Sequence, residues 1–419
     1  MILTLALVCL VQTGSAESRT TSGHWVSAWG AAVQAPIQFS SAPPSQTFEN
    51  ETIRMIVRST IGGQRIRVRL SNEFGTTPLV IGAVHVALTE EGAMIVPESD
   101  HPLTFGGESS VTIPSGAPIL SDPTDLLVPA FAEIAVSIFL PDKTPASTIH
   151  MLAQHDTYIS GPGDFTAKPD IPNATSKASW YWLADVEVWA ADQTAAIVTL
   201  GDSITDGAGV KPGQYVDWPD RLARRIADDR KAPLMAVINE GIGGNRILHD
   251  GAGVSALARF DRDVLSRPGV ASLIVLEGIN DIGWPNMKPP ASQGASQFSV
   301  NSFASETVTA KDLILGLQQI INRAHEHGIR VFGATMTPYE KADYFTAEGE
   351  TIRLAVNQWI RTSGAFDGVL DFDAAVRDPN YTSRFREDYH SGDHPHPNAA
   401  GYKAMADAIN LLALLGNHK

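Results

Sequence analysis

The chain has 419 residues, 43% of them hydrophobic and 18% charged, enough to bury a large core and long for one ordinary domain. Its formal net charge of −15 argues against a phosphate-backbone partner, because such binders carry clustered Lys and Arg. The only cysteine is Cys9, which leaves little material for disulfides, a thiol nucleophile or thiolate metal sites.

The N-terminus, Met1-Ile2-Leu3-Thr4-Leu5-Ala6-Leu7-Val8-Cys9-Leu10-Val11, is short and apolar and runs into the small residues Gly14-Ser15-Ala16. It reads as a secretory signal peptide over residues 1–16, although it lacks the usual basic residue near Met1. A buried strand fits less well, because a polar stretch follows directly. Loss of this leader would also remove Cys9. No later stretch is long and apolar enough to span a bilayer, so a secreted, extracellular chain is expected. Asn50, Asn173 and Asn380 begin sequons, which carry glycans only in a eukaryotic secretory host.

Residues 25–190 are expected to form an all-β, sandwich-like accessory domain. Runs at 52–58, 65–70, 133–138 and 185–189 alternate polar and apolar residues, and Gly, Pro, Asn and Asp separate them. Arg65, Arg67 and Arg69 alternate on one such run, which reads as a solvated face rather than a nucleic-acid site. Trp180, Trp182 and Trp189 offer either a sugar-binding surface or core and interface packing. The usual burial of tryptophan favours packing.

The pattern changes near residue 190, and residues 194–419 alternate strands with helices. Apolar runs at 195–200, 234–238, 272–276, 331–336 and 369–372 read as buried strands. Stretches 217–229, 254–266, 310–327, 351–363 and 398–415 read as helices. Such βα units imply a parallel sheet covered on both faces, with its site beyond the carboxyl ends of the strands. Segment 284–306 is a long Pro-, Ser- and Gln-rich loop, a rim or lid of the site or a surface insertion.

Four strand-end loops carry chemically useful residues. Gly201-Asp202-Ser203-Ile204-Thr205-Asp206-Gly207 sets a serine on a strand-to-helix turn, where outward N–H groups suit a nucleophile whose product is an oxyanion. A capped polar turn satisfies the same pattern. Asn239-Glu240-Gly241-Ile242-Gly243-Gly244-Asn245 allows close backbone approach but lacks the spacing of a phosphate cradle. Asn280, in Gly278-Ile279-Asn280-Asp281, either aims its amide at a developing oxyanion or closes an Asx turn. Finally, Asp393-His394-Pro395-His396 sets a carboxylate three residues before a histidine in a Pro-stiffened loop. That carboxylate can fix the imidazole tautomer and free its other nitrogen to take a serine proton. His390, His394 and His396 also permit a zinc reading, but no second cluster completes it. Asn398 is placed to cap the final helix.

In order, these four blocks resemble those of the SGNH (GDSL) hydrolase family, over about residue 194 to the C-terminus. The β-rich half, opening on Trp25-Val26-Ser27-Ala28-Trp29-Gly30, resembles the accessory region of larger secreted members more loosely. The resemblance implies a flavodoxin-like three-layer catalytic domain that mostly hydrolyses esters. It implies Ser203 as nucleophile, His396 as general base and Asp393 as its orienting carboxylate. It implies oxyanion donors from Ser203, Gly244 and Asn280, with Gly243 the alternative for Gly244 after a one-residue slip. Asp202 and Asp281 are expected to hold loops. The scheme calls for no cofactor and no metal. The expected partner is a small-molecule or polysaccharide-linked ester, acetyl or short-chain. A carbohydrate-binding or cell-wall module with a vestigial hydrolase half, or a lipase-type acylhydrolase, is the alternative.

Overall fold

A computed structural model describes residues 22–37, 46–287 and 303–416. The leader at 1–16, Cys9 and residues 288–302 of the long loop lie outside the described residues.

The long strands of the first half are β1 (Gly23–Gly30), β2 (Glu51–Arg58), β3 (Gly63–Ser71), β4 (Ala83–Glu91), β5 (Glu133–Leu140), β6 (Thr157–Pro162) and β7 (Leu183–Ala191). They form two antiparallel sheets, ordered β1–β7–β3 and β6–β2–β5–β4, with shorter strands at the margins. The alternation read from the sequence is what packs them. Ile53, Met55 and Val57 of β2 share a core with Ile66, Val68 and Leu70 of β3, while Ile56 turns to the opposite face with Ala87 and Ala135. Arg67 and Arg69 do more than meet solvent. They converge at 2.5 and 2.8 Å on the carboxylate of Glu187, which is fully buried. Trp180 and Trp182 are buried and pack the interior rather than form a sugar-binding surface, while the half-buried Trp189 stands edge-on to Trp25.

The second half alternates as its pattern requires. Its strands are β8 (Ala195–Gly201), β9 (Met235–Gly241), β10 (Val270–Leu276), β11 (Arg330–Ala334) and β12 (Gly368–Leu370). All pair in parallel, in the order β9–β8–β10–β11–β12. That order belongs to doubly wound sheets, in which the first strand lies second. The intervening helices are α1 (Ser203–Asp206), α2 (Trp218–Asp228), α3 (Ala256–Phe260), α4 (Ile279–Gly283), α5 (Ala310–Glu326), α6 (Ala347–Thr362), α7 (Phe372–Val376), α8 (Ala399–Asp407) and α9 (Leu411–Leu415). Ala196, Val198 and Leu200 of β8 join one apolar cluster with α5, whereas Ile197 joins another with α2 and α8.

Three helices differ from their expected bounds. The stretch 254–266 is α3 followed by a π-helical turn, Asp261–Leu265. α6 begins before residue 351, because the Thr346 side chain accepts the Gly349 N–H and caps an earlier turn. The terminal helix is two helices, because Asn410 leaves the helical conformation and caps α9 through Ala413 N–H.

The halves share one continuous core. Strand β1 lies against β9 so closely that a Cβ on Gly30 would sit 2.5 Å from Glu240 Oε1 and 2.6 Å from Ile238 Cγ2. The Thr60 hydroxyl accepts the Val237 N–H of β9 at 3.1 Å. Arg267 bridges Asp185 of β7 (3.3 Å) and Glu240 of β9 (2.8 Å) inside the interface. Among the described residues no helix is long and apolar enough to cross a membrane.

Candidate active site

Ser203 follows β8 directly and opens α1. The Asp202 side chain caps that turn by accepting the Ile204 N–H at 2.9 Å. Asp202 is buried, and burial with the nearby Asp281 and Asp206 raises its pKa to about 7, against the pull of Ile204 N–H and His396. At the far end of the turn, the Tyr402 hydroxyl of α8 donates to the Ala208 carbonyl at 2.8 Å.

The Ser203 hydroxyl lies 2.7 Å from His396 Nε2, and His396 Nδ1 lies 2.5 Å from Asp393 Oδ2. A carboxylate only accepts, so Nδ1 carries the proton and Nε2 offers its lone pair to the serine. The other Asp393 oxygen accepts the Ser391 hydroxyl (2.9 Å) and the His396 N–H (3.2 Å). Burial opposes the charge on Asp393. The His396 and Ser391 hydrogen bonds outweigh it and bring the carboxyl down to about 2. The loop is anchored where α8 begins: Asn398 accepts the Ala400 and Gly401 N–H groups, and its amide donates to Asp388 and His390 carbonyls. Its capping role is as expected.

The other two blocks converge on the same edge. Gly243 donates its N–H to Asp206 Oδ2 at 2.8 Å and is therefore engaged. The next N–H, that of Gly244, has no protein acceptor among the described residues, and neither has that of Ser203. Gly244 has φ +82°, and a Cβ there would lie 2.6 Å from Trp284 Cζ2, so the loop needs glycine for both conformation and space. Asn280 Nδ2 donates to the Asn245 carbonyl at 3.0 Å. An amide carries two N–H bonds, so one remains for another acceptor. Asp281, buried beside it, accepts the Ile247 and Leu248 N–H groups at 2.7 and 3.0 Å and so holds the glycine loop. Burial raises its pKa to about 6, with those two N–H groups pulling the other way.

Reading the sequence by blocks passed over Arg259. It is fully buried on α3 and donates to the Gly201 and Glu240 carbonyls and to Asn245 Oδ1, at 3.0, 2.7 and 2.9 Å. One cation thus ties the ends of β8 and β9 to the glycine loop. Its only signal in the sequence is an arginine within an otherwise apolar helical face. Trp284 also escaped notice. It packs over Gly244 and Gly251 and meets the tilted ring of Phe303, from the far end of the long loop, with centroids 4.9 Å apart. The histidine-rich loop shows no metal-like gathering. His390 and His394 rings lie 4.5 Å apart, and among the described residues no group of three or more His, Cys, Asp or Glu side chains is arranged to hold a metal.

The fold is an α/β domain built on a parallel sheet, and a hydrogen-bonded serine, imidazole and carboxylate lie at the carboxyl ends of its strands. Residues 199–404 match the model of the GDSL-like Lipase/Acylhydrolase family, and this part of the chain is a GDSL-like lipase/acylhydrolase domain, preceded by a β-rich region. Similar solved structures include an acetylxylan esterase from Geobacillus stearothermophilus, at 18% identity and a TM-score of 0.38 over 53% of this chain and 94% of that one. The alpha/beta hydrolase LAE5 from the metagenome of Lake Arreo, Spain, aligns at 20% identity and a TM-score of 0.37, over 53% of this chain and 95% of that one. A GDSL-like lipase from Bacteroides thetaiotaomicron VPI-5482 aligns at 17% identity and a TM-score of 0.36, over 52% of this chain and 87% of that one. No curated protein sequence matches the chain.

Proposed function

We propose that the protein is an exported serine ester hydrolase that removes acetyl or other short acyl groups through an acyl-enzyme. The observation that carries this reading is the unbroken relay from Ser203 through His396 to Asp393, at 2.7 and 2.5 Å. His396 Nε2 takes the Ser203 proton as Oγ bonds to the ester carbonyl carbon. The charge passes to the carbonyl oxygen, which the Ser203 and Gly244 N–H groups and the second Asn280 N–H stabilise. His396 then returns the proton to the leaving alcohol as the C–O bond breaks. Water attacks the acyl-serine with His396 again as base, releasing the acid and restoring Ser203. Asp393, held near 2, stays a carboxylate throughout and supports the imidazolium.

A small acyl group is favoured because Trp284 and Leu152 stand against Gly244 and Gly243, close to the donors. The alcohol part is a small molecule or a polysaccharide. Export rests on the apolar leader at 1–16, and a three-layer catalytic domain rests on the two separate apolar clusters of its sheet.

The test is a panel of p-nitrophenyl esters of rising acyl length, run beside acetylated polysaccharides with acetate release as the readout. Turnover should be greatest on acetyl substrates and absent in Ser203→Ala. Full turnover by a folded Ser203→Ala protein would overturn the assignment, and a preference for long chains would move it to a lipase-type acylhydrolase.

A further inference from the structure

The β-rich region reaches into the candidate site through the segment 149–155. His150, on its short strand Ile149–His150, is 3% exposed and held at both ring nitrogens. Nδ1 lies 2.9 Å from the Ala32 carbonyl and Nε2 lies 3.1 Å from Asp206 Oδ1. A carbonyl only accepts, so Nδ1 carries a proton. The carboxylate facing Nε2 draws a second, making the ring a buried cation paired with a buried anion. Burial opposes that cation, but Asp206, the Ala32 carbonyl and Glu240 more than offset it and the His150 pKa is raised. The Trp180 ring lies 5.4 Å away and flanks the imidazole.

Asp206 is a junction of three parts of the chain. It belongs to the Ser203 turn, three residues beyond the serine. Its Oδ2 accepts the Gly243 N–H at 2.8 Å, and its Oδ1 faces His150. Its backbone packs so tightly on β9 that a Cβ on Gly241 would lie 2.3 Å from Asp206 N. Gln154, from the same segment as His150, donates to the Asp206 carbonyl at 2.8 Å. The pairing settles which glycine N–H is used up: Gly243 is committed to Asp206, and Gly244 is left to donate elsewhere. Without the cation, the Asp206 carboxylate loses its buried counter-charge and the hydrogen bond that fixes Oδ1. Its side chain is then free to turn, which loosens its hold on Gly243.

We propose that His150 is a positioning residue for ester hydrolysis, setting through Asp206 the register between the Ser203 turn and the glycine loop that donates to the oxyanion. The proposal rests on the esterase reading above and gives the β-rich region a part in that chemistry. Misplacing reacting groups by about 1 Å can cost ~10²-fold in rate.

The experiment compares the full-length wild-type chain with His150→Leu, Asp206→Asn and Ser203→Ala on p-nitrophenyl acetate. Each kcat is referred to the fraction of serine labelled by a fluorophosphonate, and folding is checked by thermal melting. His150→Leu is expected to lower kcat by ~10²-fold with KM within about threefold, since transition-state donors are affected and ground-state binding is not. Asp206→Asn, which leaves His150 without an anion, should lower kcat by at least about tenfold in the same way. A folded His150→Leu protein with kcat within about threefold of wild type, or with its loss confined to KM, overturns the proposal. If His150→Leu does not fold, Asp206→Asn decides by the same criterion. Turnover that survives Ser203→Ala removes the esterase reading and this role with it, an outcome distinct from the others.

Discussion

Replacing Asn280 with alanine separates two effects that the structure assigns to one side chain. The amide is 4% exposed and donates through Nδ2 to the Asn245 carbonyl at 3.0 Å. That bond orients the amide, because a carbonyl can only face the NH2 end, and it leaves the second N–H for an oxyanion. Removing one such donor costs about 2.7–4 kcal/mol of barrier, or ~10²–10³ in kcat. The Asn245 carbonyl also loses its partner, which costs roughly 1–3 kcal/mol of stability. The two losses are read separately, kcat from p-nitrophenyl acetate turnover and stability from urea unfolding. Asn280→Asp is the control of similar size. Ionised, it accepts only, so it repels both the Asn245 carbonyl and the oxyanion and should be no better than alanine. A folded Asn280→Ala protein with kcat within about threefold of wild type would refute the oxyanion role and leave only the structural one.

Alanine at Gly244 meets φ +82° and Trp284 at 2.6 Å, whereas at Gly243 it meets only the tip of Leu152, also at 2.6 Å. Gly244→Ala should therefore lower both melting temperature and kcat, the latter by ~10²-fold, with Gly243→Ala milder in both. The reverse ranking, in the same turnover and melting assays, would shift the donor to Gly243. Asp393 has a folded pKa of about 2, below its ordinary value, so its contribution to stability is present above about pH 4 and lost as pH falls toward 2. The stability gap between wild type and Asp393→Asn, followed by urea unfolding, should be flat near neutrality and shrink in that acid window. A gap that widens as the pH falls from about 4 toward 2 contradicts the lowered Asp393 pKa.

The parallel sheet could be read from its apolar runs because its central strands are buried on both faces, as at 196–200, so that local composition and tertiary fate agree. The strands 52–58 and 65–70 were equally readable from period-two alternation, although only 65–70 alternates in burial; 52–58 is covered on both faces, with Arg54 and Ile56 buried opposite Ile53 and Met55. The relay residues could be named because Asp393 and His396 are three apart and Ser203 sits between two glycines that mark its turn. His150 could not be. Its partner Asp206 is 56 residues away in another architectural unit, and a histidine between Ile149 and Met151 carries no local sign of a charged partner. Arg259 was hidden for a related reason: two of its partners are backbone carbonyls, which leave no trace in residue types, and others, such as Asn245 and Glu277, lie on distant loops. The split of the last helix turned on Asn410, whose competing cap is visible only once the helix must bend.

The Thr60 hydroxyl on the Val237 N–H has a consequence for handling the protein. Strand β9 is the outer member of the parallel sheet, and the β-rich region covers it. A fragment starting near residue 194 would bare both that strand's free amide row and the apolar face bearing Ile238. Such a margin is a template for strand addition between molecules. The first half therefore shields that edge, and trimming the chain to its hydrolase domain should raise its tendency to self-associate relative to the whole chain, as light scattering would read.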